Sequence, residues 1–382
     1  MQTVDLTFEG GEVLRPDGVT QEMLCTAQGV ITDAPEGRRI DACGFRLLPG
    51  IIDVHGDAFE KHLAPRRGAM TNMVAGMAAT EIDLVTCGIT TAVLAQFYSW
   101  EGGLRRPEFA RQMLTALDVA RADQLIDMRV QLRFETHMLD DYDAVAQLIQ
   151  DHAIGYVVFN DHLPHKRLAE GRTPPRLTGT ALKSGRSPEA HLALMHKLHG
   201  QSAQVPGALA AFAPKLRALG CILGSHDDNT RASRDAMNAI GCTVAEFPET
   251  REAARAARDD GGAIVLGAPN VMRGGSHKGN ASAEDLIAEG LCDALASDYH
   301  YAAVRQAVGA LVDRGVCRFE QAWDLVSSGP ARLLGLMDRG RLEPGLRADI
   351  LIEDMETGRI AGVIAGGRIA HMQGRLAARL AG

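Results

Sequence analysis

The sequence predicts an α/β fold: a (β/α)8 TIM-type barrel with a small β-sandwich module built from its two ends. Three observations predict it. Eight short apolar runs recur through the middle of the chain, each followed by a helical stretch. Both ends instead alternate apolar and polar residues in pieces broken by glycine. Polar, chemistry-bearing residues gather just after the apolar runs, where the strands of a barrel converge on one face.

The runs are IIDVHGD (51–57), TTAVLAQ (90–96), MRVQLRFET (128–136), GYVVFNDH (155–162), CILGSHDD (221–228), CTVAEFPE (242–249), AIVLGAPN (263–270) and CDALASDY (292–299). They are nearly continuous in apolar residues, as strands covered on both faces must be. Helices are expected between them, for example over 104–122 and 281–290. The stretch 163–220 is long for one connection. It is read as an insert with helices near 188–199 and 207–219.

At the N-terminus, VDLTFEGGEVL, LCTAQGVITDA and FRLLPG read as short antiparallel strands. ADILIED and RIAGVIAGGRIAHM read the same way at the other end. The expected organisation is a β module from 1–48 plus 340–382, with the barrel over 49–339.

Composition limits the function classes. Hydrophobic residues make up 46% of the 382, enough for a large core, and aromatics only 4%, too few for stacking platforms. The formal net charge of −8 argues against general nucleic-acid binding, which needs a basic footprint. Seven dispersed cysteines without a CxxC pair suit a reducing compartment. No leader-like segment or membrane span is read. The expectation is a cytoplasmic protein with a small-molecule substrate, compatible with a homo-oligomer.

The polar residues after the runs are suited to metal chemistry. In His55-x-Asp57, residues i and i+2 share a strand face, so both side chains can reach one cation. Glu135 and His137, Asp161 and His162, His226 with Asp227 and Asp228, Glu246 and Glu249, Asn270, and Asp298 follow the later runs. Imidazole with carboxylate suits Zn2+, Mn2+ or Fe2+. Two ions would lower the pKa of a water and clamp substrate oxygens. Glu135 could bridge them, and Asp298 would accept the proton. His191, His196 and His199 lie outside this pattern and are read as helix-face residues.

Two basic loops add an anion site. GAPNVMRGGSHKGN (267–280) offers Asn270, Arg273, Gly274, Gly275, Ser276, His277 and Lys278. Lys61, His62, Arg66 and Arg67 follow the first run. Glycines let backbone N–H groups approach an anion, and Arg and Lys add charge.

The strings LLPGIIDVHGDAFEKHLAPR, LGSHDDNT, GAPNVMRGGSHKGN and ASDY, with GRLEPGLRADILI (340–352), resemble the amidohydrolase superfamily over about residues 46–352. They are similar to one branch that cleaves a triphosphorylated, phosphonylated ribose in phosphonate breakdown. The resemblance implies a metal-dependent hydrolase releasing pyrophosphate. It implies His55, Asp57, Glu135, His162, His226 and Asp298 as ligands of one or two divalent ions, zinc foremost. Arg273 and its neighbours would face phosphate. Another phosphorylated sugar, an amide, a cyclic amide or an amino-substituted ring stays open as substrate. The stretch 95–109 and the insert do not match the branch.

Overall fold

A computed structural model describes residues 2–35, 37–66, 72–274 and 281–381. Eight parallel strands form one sheet in chain order. They are β1 (Ile51–Gly56), β2 (Ile89–Tyr98), β3 (Asp127–Glu135), β4 (Tyr156–Asn160), β5 (Ile222–His226), β6 (Val244–Glu246), β7 (Ala263–Gly267) and β8 (Ala294–Ala296). A parallel bridge between Gly56 and Asp298 joins the two ends of that order, as a (β/α)8 barrel requires. The apolar runs are buried as expected: every residue of β2 and of β4 is inside.

The chain divides into two compact units. The first is Met1–Leu94, Ala120–Arg129 and Ala263–Gly382, and the second is Ala95–Val119 and Val130–Gly262.

In the first unit, the two ends of the chain build the β-sandwich. One sheet runs in the order Arg368–Met372, Arg359–Ala365, Ile350–Asp354, Phe45–Pro49, Glu12–Arg15, Gly18–Gln21. Phe45–Pro49 is antiparallel to Ile350–Asp354, with Leu48 opposite Leu351. The four-stranded sheet comprises Val30–Thr32, Leu24–Ala27, Leu6–Glu9 and Arg38–Asp41. Phe8, Phe45, Leu47, Ile350, Ile352 and Ile364 belong to the core that the two sheets share. Each such fully buried side chain stabilises by about 1.5–3 kcal/mol. At the start of β3, buried Arg339 donates to Asp127 at 2.8 Å and to Thr91 of β2 at 3.0 Å, tying two strand starts together.

In the second unit, Phe134, Tyr142 and Phe212 pack ring against ring behind β3. The connection from β4 to β5 carries four helices: His165–Ala169, Leu177–Ser184, Pro188–His199 and Val205–Ala218. The last packs on β5 and is the barrel's own helix. The other three pack on a small core of Trp100, Leu163, Leu168, Met195 and Leu198. Leu177–Ser184 is a helix beyond the two expected in the insert. Gly185 stops it in a left-handed conformation.

The end of β7 differs from expectation. β7 stops at Gly267, and Ala268–Arg273 is a helix with Pro269 in its first turn. Asn270 is therefore a helical residue and does not end a strand. Among the described residues, no helix is long and apolar enough to cross a membrane.

Candidate metal centre

In the second unit, Glu135 ends β3 and is fully buried. The Trp100 indole N–H and the His162 backbone N–H each donate to its Oε2 at 3.2 Å. His162 Nδ1 forms an ion pair with its Oε1 and lies 3.3 Å from Glu101 Oε2. Arg105 holds that same Glu101 oxygen at 2.7 Å. Burial pushes the Glu101 carboxyl up, but His162 and Arg105 outweigh it and hold it at about 2. Burial pushes the His162 imidazole down, and the two carboxylates outweigh that and raise it to about 9.

Glu101, Glu135 and His162 each bring one ligating atom within 4.8 Å of the others. Glu135 Oε1 has the ionic contact but no hydrogen bond, although it is buried. Such an atom beside a second carboxylate and an imidazole fits a divalent first-row ion. A cation there would replace the charge His162 supplies.

His226 ends β5. Arg133, itself stacked 3.9 Å over the Phe97 ring, lies 2.9 Å from His226 Nε2. A guanidinium only donates, so Nε2 accepts and the ring proton sits on Nδ1, 3.2 Å from Asp227 Oδ2. Burial raises the Asp227 carboxyl, but His226 and Arg133 bring it to about 2. Asp227 holds a left-handed backbone, φ 60°. Asp228 instead pairs with fully buried Arg234, which also donates to Ser225 and to the carbonyls of Val244 and Cys242. That network fixes the strand ends. At the end of β6, buried Glu246 accepts from Gln131 at 2.5 Å and from the Tyr156 hydroxyl at 2.6 Å.

In the first unit, His55 near the end of β1 is fully buried. The backbone locks it to the end of β8: Asp298 N–H donates to His55 O at 2.9 Å, and Asp57 N–H to Asp298 O at 2.8 Å. Below them, Asp53 accepts from the Ser297 backbone at 2.9 Å and from its hydroxyl at 2.5 Å. Gly56 lies against this pair. A Cβ there would sit 2.7 Å from Asp53 Oδ2, 2.8 Å from the Tyr301 ring and 2.9 Å from Ser297 Oγ. Asp298 has a left-handed backbone, φ 56°, the conformation that aspartate tolerates better than most residues.

The structure thus brings Glu135 and His162 together with Glu101, and joins His55 and Asp57 to Asp298 through the backbone. The phosphate-facing expectations fare differently. Lys61 pairs with Asp83 at 2.7 Å. Asn270 caps the helix Ala283–Ala288 by accepting from the Ala283 N–H at 3.2 Å. Arg273 donates to the exposed Tyr299 hydroxyl at 2.8 Å, Gly274 ends its helix, and Arg66 is exposed. Arg67, Gly275, Ser276, His277 and Lys278 lie outside the described residues.

His191 is buried against the Trp100 ring, and His196 is exposed. His199 meets His165. Sequence reasoning missed Glu101, Trp100 and Arg133 as site residues. It also missed Asp53, whose signal was available: it precedes His55 by two and so shares its strand face.

The Amidohydrolase family model matches residues 192–370. The alpha-D-ribose 1-methylphosphonate 5-triphosphate diphosphatase of Escherichia coli K12 is 32% identical over 328 residues, covering 82% of this chain and 84% of that protein. Two crystal structures share the fold at low identity. The N-acetylglucosamine-6-phosphate deacetylase of Pasteurella multocida has a TM-score of 0.63 at 13% identity, covering 96% of this chain and 99% of the other. The beta-aspartyl dipeptidase of Fervidobacterium islandicum AW-1 has 0.62 at 14%, covering 97% of each.

Proposed function

The chain belongs to the amidohydrolase superfamily and is a hydrolase of that family, and from this premise we propose that it cleaves a sugar triphosphate, a phosphonylated ribose 5-triphosphate, releasing pyrophosphate. The observation that carries the metal chemistry is the convergence of half-buried Glu101 and His162 on buried Glu135. The similarity to the Escherichia coli diphosphatase across four-fifths of the chain supports the substrate.

His55, Asp57, Glu135, His162, His226 and Asp298 are the proposed ligands, with Glu101 beside Glu135 and His162. Divalent ions held by these residues would supply an acidified water and neutralise phosphoryl charge. Asp298 takes the proton of the attacking water. The backbone bonds that join Asp298 to His55 and Asp57 support this reading. Arg133 and Arg105 set the charge around the acidic groups. Attack at phosphorus needs such charge placement more than covalent help. Lys61, Arg66, Asn270, Arg273, Gly274, Gly275, Ser276 and His277 form the proposed phosphate-facing set. Lys61 and Arg273 would exchange Asp83 and Tyr299 for substrate.

Phosphorus NMR of the zinc-loaded enzyme with the ribose triphosphate tests the reading. Pyrophosphate and a 5-phosphate should appear together. Metal-replete enzyme that leaves the triphosphate intact, yet releases amine or ammonia from an amide panel, would refute it.

A further inference from the structure

A second gathering of ligating side chains lies beside the Glu135 cluster in the same unit. Neighbouring residues at a strand end turn to opposite sides. His162 turns to Glu135, and Asp161 turns to the helices that follow β4. Asp161 Oδ2 meets His165 Nε2 at 2.8 Å, and its Oδ1 meets His137 Nδ1 at 3.5 Å. One ligating atom from each of the three lies within 4.8 Å of the others.

The outer nitrogens of both imidazoles have partners of their own. His165 Nδ1 faces His199 Nδ1 at 2.8 Å, and His137 Nε2 faces Ser202 Oγ at 3.1 Å. The single Ser202 hydroxyl proton goes to the His199 carbonyl at 2.7 Å. Toward His137 the serine therefore accepts, and His137 carries its proton on Nε2. Its Nδ1 then presents a lone pair that accepts from the Thr136 hydroxyl at 3.4 Å and also faces Asp161. A lone pair facing a carboxylate is repulsive until a cation lies between them. Histidines whose outer nitrogens are hydrogen-bonded, and whose inner nitrogens converge on a carboxylate, are oriented as metal ligands are.

We propose that His137, Asp161 and His165 form a further divalent-cation site of the zinc class, separate from the strand-end cluster, with His199 and Ser202 orienting the two imidazoles. Two nitrogens and a carboxylate favour Zn2+ over Mg2+ or Ca2+. The ligands come from three places: His137 after β3, Asp161 after β4, and His165 from the first extra helix. His199, which holds His165, ends the third extra helix. The cation would staple the extra helices to the strand ends, where the core that holds them is small. The site does not depend on the substrate reading.

Zinc content of the full-length enzyme, equilibrated with Zn2+ and a weak chelator, tests this by elemental analysis. His165→Gln should bind one equivalent less than wild type, and proteolysis within 163–204 should be at least threefold faster. Glu135→Gln should keep this equivalent. His199→Gln, which removes no ligand, should weaken Zn2+ at this site by about 10–100-fold in chelator competition. Unchanged zinc content in His165→Gln, or unchanged affinity in His199→Gln, overturns the proposal. Loss of all zinc in Glu135→Gln overturns the separateness of the two sites.

Discussion

Gly56→Ala tests how tightly the first proposed ligand pair is built. The added methyl would lie under 3.0 Å from Asp53 Oδ2, the Tyr301 ring and Ser297 Oγ at once. Overpacking of this kind costs about 1–3 kcal/mol. The methyl also wedges into the Ser297–Asp53 hydrogen bonds. A buried carboxylate that loses a donor costs about 1–3 kcal/mol more. The sum is about 2–6 kcal/mol. Unfolding entropy of roughly 2.1 cal/mol/K per residue gives about 0.8 kcal/mol/K for 382 residues. Tm should therefore fall by about 3–8 °C. His55 and Asp57 flank the methyl and move with it, and misplacement by a fraction of an ångström lowers kcat by about tenfold or more. Calorimetry of the zinc-loaded protein and pyrophosphate release measure the two effects. A Tm within 1 °C of wild type, with kcat/KM within twofold, would refute the packing argument.

Four further outcomes are expected. Glu135→Gln should reduce pyrophosphate release by at least about 100-fold and lower the zinc content, because a proposed carboxylate ligand is replaced by an amide. Asp298→Asn should lower kcat by about 10²–10⁴-fold, the usual worth of a positioned proton acceptor; full activity by phosphorus NMR would remove that role. Arg234→Met leaves Asp228 buried without its ion pair, which costs about 3–5 kcal/mol, or about 4–6 °C in Tm by the same conversion. The Asp127 carboxyl is held below its ordinary 3.8, because Arg129 and Arg339 outweigh the upward push of burial. Its folded pKa is depressed, so its stabilisation is present above about pH 3.8 and lost as pH falls below that. Arg339→Met should flatten the acid limb of the urea-midpoint-versus-pH curve; an unchanged slope argues against the pair.

Much of the fold was legible because buried parallel strands must be apolar along their whole length. Ile89–Tyr98 and Tyr156–Asn160 announce themselves for that reason. Asn270 was misplaced because apolar character continues past Gly267, while Pro269 opens a helix that burial alone does not reveal. The positions of Glu135 and His162 followed from strand ends. Glu101 did not, because it lies on an irregular segment and reaches His162 only through the fold. Ser297 and Asp53 are 244 residues apart, and no local pattern pairs them. His137 and Asp161 were ambiguous one by one, and with His199, read as a helix-face residue, they became a group once the helices after β4 were in place.

The left-handed backbone at Asp298 and Asp227 bears on how these aspartates can be studied. An alanine scan would confound two losses at either position. Alanine removes the carboxylate, and its Cβ also makes that backbone costly by about 1–2 kcal/mol. A dead Asp298→Ala enzyme would not distinguish absent chemistry from a relaxed strand end. Asparagine keeps the conformation and removes the charge, while glycine keeps the conformation and removes the side chain. Run side by side, the two substitutions form their own control, and the difference between them isolates what the amide of asparagine still contributes.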